Sequence, residues 1–241
     1  MSARPALGAR GAVAGVLSAA ANWLVEPADR SEQERAAGAT LQQRPVVAVI
    51  GLARRCGTTT VARALGAELA LRDSGGACAV TAASSGGSLS LGLPAAGRLA
   101  RTLAPVAGGT RACGRLCLVS CEDRAALAGA ILYLAPLVLD VAEPEEAATA
   151  AALADRVVLV AGPSTEPALA AVVSDSLARV GPASLVVLNR ADGGEPAWSG
   201  RAAVELPDSR IGAQLALAGR EPRGELGREV AVLADLVGQG P

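Results

Sequence analysis

The chain has 241 residues, 51% of them hydrophobic, which is enough for one sizeable α/β domain with a buried core and an added arm. Its formal charge of −1 offers no long-range field for nucleic acid, and the lack of histidine excludes Ser-His and Cys-His dyads and histidine metal ligands. Aromatics make up 1%, Phe is absent and all 22 basic residues are arginine, so Ala, Val, Leu and Ile must build the core. Such a core suits a parallel sheet covered by helices, and the bias fits GC-rich prokaryotic coding.

Residues 1–44 read as an N-terminal helix and linker. Val13, Val16, Leu17, Ala20, Trp23 and Leu24 follow a helical stripe behind Arg4 and Arg10. Basic residues before an apolar run also describe a secretory leader. The run is short for a bilayer, and its polar face carries Ala, Gly and Ser rather than basic residues. A packing or partner helix, without stable membrane insertion, is the expectation. Residues 26–44 are polar and read as the linker.

From residue 45 strands and helices alternate. Apolar runs predict strands over 46–50, 77–81, 116–120, 137–141, 157–161 and 185–188, with a short one over 203–206. Helices are expected over 58–72, 95–103, 124–134, 145–153, 166–180, 214–218 and 225–237. The Gly- and Ser-rich stretch 84–92 reads as a loop. Strands bare of charge and separated by helices argue a three-layer, doubly wound, mostly parallel sheet spanning 45–241. Ligands of such sheets bind outside the carboxyl ends of the strands, where Gly51 to Thr60 would lie.

That segment carries the chemistry. Val46-Val47-Ala48-Val49-Ile50 enters a loop, and the loop enters a helix at Gly57-Thr58-Thr59-Thr60. Phosphate loops use glycines for close backbone approach, a helix N-terminus aimed at the anion, a lysine, and a hydroxyl for Mg²⁺. Gly51, Gly57 and the hydroxyls of Thr58, Thr59 and Thr60 are present. The lysine is not: Thr58 stands in its place, and the chain has none. Arg54 and Arg55 can restore the charge, since guanidinium grips phosphate bidentately. They can equally be solvated loop charges. The lost contact is worth about 1.5–3 kcal/mol, roughly tenfold or more in affinity.

Five cysteines, an odd number, fit a reducing cytoplasm. Cys113, Cys117 and Cys121 are evenly spaced. If 116–120 is a strand, alternation puts all three on one side, as small buried side chains rather than a metal site.

At Gly57-Thr58-Thr59-Thr60, followed by Leu65-Gly66, the chain resembles the ParA/MinD family of P-loop ATPases. The family's deviant motif runs Lys-Gly-Gly-x-Gly-Lys-Thr-Thr. Ala53 falls on the signature lysine, Arg54 and Arg55 on the first two glycines, and Thr58 on the second lysine. Downstream, Ala135-Pro136-Leu137-Val138-Leu139-Asp140 resembles the strand that ends in the Mg²⁺-holding aspartate. Leu153-Ala154-Asp155-Arg156-Val157-Val158 resembles the strand after the switch. Leu185-Val186-Val187-Leu188-Asn189-Arg190 resembles the strand whose Asn contacts the base. Leu206-Pro207-Asp208-Ser209 and Gly219-Arg220-Glu221-Pro222 resemble the C-terminal segment. The strand over 77–81 should end in a catalytic aspartate, and Ala82-Ala83-Ser84-Ser85 supplies none.

The resemblance implies a nucleotide site at Gly51, Arg54, Arg55, Gly57, Thr58, Thr59, Thr60, Asn189 and Arg190, with Thr59 and Asp140 toward Mg²⁺. ATP and Mg²⁺ are the implied cofactors, and a protein partner or a second copy the implied partner. Asn189-Arg190-Ala191-Asp192 also resembles the guanine-reading Asn-Lys-x-Asp of GTPases. With both lysines and two glycines replaced, the expectation is a cytoplasmic regulatory or positioning protein with weak or no ATP hydrolysis. The alternatives are an active ATPase using Arg54 or Arg55, and an interaction module that keeps only the fold. In the helix over 225–237, Leu226, Val230, Leu233 and Val237 share a face while Glu225, Arg228, Glu229 and Asp235 mix signs, so it should pack on the domain.

Overall fold

The computed structural model describes residues 44–73, 76–81, 98–103, 109–113, 115–121, 123–191 and 196–239. The helix and linker expected within 1–44, the loop over 84–92, and Asp192 lie outside these residues, Arg44 excepted.

Among the described residues eight strands form one sheet: β1 (Val46–Gly51), β2 (Ala77–Thr81), β3 (Gly109–Cys113), β4 (Leu116–Ser120), β5 (Leu137–Val141), β6 (Arg156–Ala161), β7 (Ser184–Ala191) and β8 (Val204–Pro207). Their order is β3-β4-β2-β5-β1-β6-β7-β8. Only the β3–β4 pair is antiparallel. The helices are α1 (Thr58–Arg72), α2 (Arg98–Leu103), α3 (Arg124–Ile131), α4 (Ala147–Leu153), α5 (Pro167–Leu177), α6 (Arg210–Leu217) and α7 (Gly224–Gly238). The expected three-layer, mostly parallel architecture is the observed one.

Strand alternation divides the core. Val47, Val49, Val138, Val158 and Val160 face the layer of α1, α6 and α7, where Leu65, Ala216, Leu226, Val230 and Leu233 cover them. Val46, Ala48, Ile50, Leu137, Leu139 and Val157 face the other layer, under Leu103, Leu127, Ile131, Ala150 and Leu177. Each central strand is buried on both faces, which is why its sequence is an unbroken apolar run. As expected, α7 packs on the domain through Leu226, Val230, Leu233 and Val237. Arg72 ties α1 to α7 through Asp235 and the Ala231 carbonyl, while Glu68 of α1 itself holds its guanidinium at 2.8 Å.

Three readings need correction. Sequence patterning gives no strand over 109–113, yet β3 is there and forms a hairpin with β4. That hairpin also separates the cysteines: Cys117 and Cys121 pack in one layer, while Cys113 packs against the other. Reversal of the chain between β3 and β4 breaks the alternation that would have aligned them. Finally, α6 begins four residues earlier than expected, because the Ser209 side chain caps it by accepting from Gly212 N at 3.1 Å.

Candidate functional site

The centre of the sheet sets the site. β1 lies between β5 and β6, and its last residues open into the loop that leads to α1. Leu52 N still donates to the Val160 carbonyl of β6 at 2.9 Å, so the loop starts in register with the sheet. It then turns through Arg55 at φ 62° and Gly57 at φ 93°, both left-handed. Gly57 is the N-cap of α1 and makes no side-chain cap bond. The first-turn N–H groups of a 15-residue helix therefore have no capping side chain, the arrangement that receives anions.

Two glycines fit here for packing reasons. A Cβ on Gly57 would stand 2.1 Å from Asn189 Nδ2, and one on Gly51 would stand 2.3 Å from Thr58 Oγ1. Thr58 is 7% exposed, and its hydroxyl sits 3.3 Å from Cys56 Sγ. Its side chain is thus directed at the base of the loop. Thr59 and Thr60 are half-buried in the first turn, and Arg54 and Arg55 are exposed.

β7 supplies the back of the site. Its pairing with β8 shifts between Asn189 and Ala191, which leaves Arg190 as the extra residue of a bulge at φ 62°. Asn189 is buried, and its Nδ2 donates to the Cys56 carbonyl at 2.8 Å. Arg190 reaches back over Gly162, and its Nη2 donates to the Arg55 carbonyl at 2.8 Å. Among the described residues, Arg54, Arg55 and Arg190 have no carboxylate partner.

Asp140 is 2% exposed near the carboxyl end of β5 and is paired in register with Val49 of β1. Sequence reasoning missed its neighbour Arg124, at the start of α3. Arg124 donates to the Asp140 carbonyl at 3.4 Å and pairs with Glu146 at 2.7 Å. The signal was an acidic N-cap: Asp123 accepts from Ala126 N at 2.9 Å, which starts α3 at Arg124. A turn over Gly162–Thr165 follows β6, closed by Thr165 N donating to the Gly162 carbonyl at 2.9 Å. There Thr165 Oγ1 accepts from Gly162 N at 3.1 Å and is buried.

The structure thus gathers Gly51, Arg54, Arg55, Gly57, Thr58, Asn189 and Arg190 around one loop, with Thr59 and Thr60 following on α1. Two clefts lie elsewhere. One is bordered by Pro45, Arg72 and Asp235, and the other by Arg115, Arg220 and Arg223. Among the described residues no three Cys, Asp or Glu side chains gather as a metal cluster, and no helix is long and apolar enough to cross a membrane.

No family model matches the sequence, and no curated protein matches it. Solved structures do. MinD of the Aquifex aeolicus MinC:MinD cell division complex shares 18% identity at a TM-score of 0.58, covering 82% of this chain and 97% of that one. A ParA family ATPase from Chlorobium tepidum gives 14% identity and 0.55, covering 79% and 97%. A variant of Cyanothece McdA in complex with ATP gives 15% and 0.56, covering 80% and 96%. At these identities the likeness is one of fold, and it spans nearly the whole of each neighbour. The chain has the ParA/MinD-like fold of the P-loop ATPases.

Proposed function

We propose that this chain is a ParA/MinD-like P-loop protein with a degraded nucleotide site, a cytoplasmic regulatory or positioning protein that binds ATP weakly and hydrolyses it slowly or not at all. Thr58 carries the reading: where the fold's lysine would meet phosphate there is a buried hydroxyl turned toward Cys56. The loop keeps its glycine turn and uncapped helix start, which receive an anion, but lacks the cation that neutralises charge in the transition state. The stretch after β2 contains no acid between Thr81 and Arg98, so it offers no catalytic carboxylate.

A divalent cation fits the oxygen donors present. The Thr59 hydroxyl and the Asp140 carboxylate are the hard ligands that Mg²⁺ takes. Bound there, Mg²⁺ would offset phosphate charge. That one neighbour is a MinC:MinD complex supports a protein partner or a second copy as the target of regulation.

Titration with labelled ATP and GTP, with and without Mg²⁺, tests the reading, alongside phosphate release. Weak saturable binding with negligible turnover is expected. No saturable binding at millimolar nucleotide would reduce the protein to an interaction module that keeps only the fold. One observation favours an active ATPase instead: Arg54 and Arg55 lie at the loop without acidic partners among the described residues. Steady turnover abolished by Arg54→Ala or Arg55→Ala would establish that reading.

A further inference from the structure

Asn189 and Arg190 of β7 donate to consecutive carbonyls of the loop, Cys56 and Arg55, each at 2.8 Å. A trans peptide holds its C=O and the following N–H in one plane, pointing in opposite directions. Drawing the Cys56 carbonyl toward β7 therefore turns the Gly57 N–H away from β7. Holding the Arg55 carbonyl fixes the Cys56 N–H in the same way, turned within the loop toward the Ala53 carbonyl at 3.4 Å.

The local backbone is arranged for this grip. Arg55 and Arg190 both sit at φ 62°, a region L residues adopt only when their surroundings over-determine it. The bulge at Arg190 swings its side chain back over Gly162, where a Cβ would come within 3.4 Å of the guanidinium. Asn189 fills the space that a side chain at position 57 would need.

We propose that Asn189 and Arg190 are positioning residues that brace the phosphate loop from behind, and that Asn189 acts on a ligand through the loop rather than through a base. Affinity set by this brace belongs to the polyphosphate chain of the ligand and is shared by any molecule carrying one. The proposal rests on the reading of the loop as a phosphate site.

The test uses the full chain as wild type, Asn189→Ala and Arg190→Gln. Affinities for ATP and for inorganic tripolyphosphate are measured by calorimetry with Mg²⁺. Hydrogen exchange of the segment 52–60 is measured without ligand. Asn189→Ala should weaken ATP and tripolyphosphate by the same factor, roughly three- to tenfold, and should speed exchange across 52–60. Arg190→Gln lies at an exposed position and should fold even if Asn189→Ala does not; it should weaken both ligands equally but less. A loss confined to ATP would make Asn189 a base reader and overturn the proposal, as would unchanged affinity for both. If wild type binds neither ligand, the phosphate-site reading falls. Exchange then decides the brace alone: faster exchange in the variants supports it, and unchanged exchange overturns it.

Discussion

Gly57→Ala probes the loop at its most constrained point. Alanine at φ 93° is strained by about 1–2 kcal/mol. Its Cβ would lie 2.1 Å from Asn189 Nδ2, so the amide must move and release the Cys56 carbonyl. Breaking a buried hydrogen bond and leaving its groups unsatisfied costs about 1–3 kcal/mol. The sum, about 2–5 kcal/mol, is a large part of the roughly 5–15 kcal/mol that holds a domain together. Urea unfolding of wild type, Gly57→Ala, Asn189→Ala and the double variant measures it. In the Asn189→Ala background the clash is gone, and Gly57→Ala should cost only the backbone strain of about 1–2 kcal/mol. The two changes are therefore non-additive by about 1–3 kcal/mol. A Gly57→Ala cost below about 0.5 kcal/mol, the level of an ordinary surface change, would refute the reasoning. So would strict additivity.

Thr58→Lys should restore a charge-assisted contact through a lysine stem that snorkels out of the loop, tightening ATP about tenfold or more in a fluorescence titration. No gain would count against the proposal that the loop's lack of a lysine weakens nucleotide binding. Asp140→Asn keeps the shape of β5 and should abolish the Mg²⁺-dependent part of nucleotide affinity while leaving metal-free affinity unchanged, read by titration with and without the cation. Leu65→Ala empties a fully buried site on α1 and should cost about 2–5 kcal/mol in a denaturation curve, without changing nucleotide affinity of the folded fraction.

The sheet was legible because its central strands are buried on both faces and so read as apolar runs, as Val46–Gly51 and Arg156–Ala161 do. β3 was not, because Gly109–Cys113 is an edge strand of Gly, Thr, Arg, Ala and Cys, held by pairing with β4 on one side. The start of α6 was obscured by Gly212, which lowers helix propensity. It is a glycine because a Cβ there would lie 2.5 Å from a methyl of Leu226. At the site, the loop and Asp140 could be placed from the order of strands alone. The hold of Asn189 and Arg190 on the loop could not. It needs a bulge at residue 190 and two long-range bonds to carbonyls that no residue pattern encodes.

That hold changes what the glycines of the loop can testify to. Gly51 and Gly57 each face a contact that a Cβ would violate, one with Thr58 Oγ1 and the other with Asn189 Nδ2. Packing alone therefore favours glycine at both positions, whether or not a ligand binds. The same holds for Asn189, whose buried amide satisfies the Cys56 carbonyl. A chain can lose nucleotide chemistry and still keep the outline of the motif, because the outline is a packing requirement of a loop braced by β7. Evidence for activity must come from groups whose place in the loop packing does not require. Among these are the exposed Arg54 and Arg55 and the half-buried Thr59 hydroxyl, and ligand titration of their variants speaks to function in a way that the glycines do not.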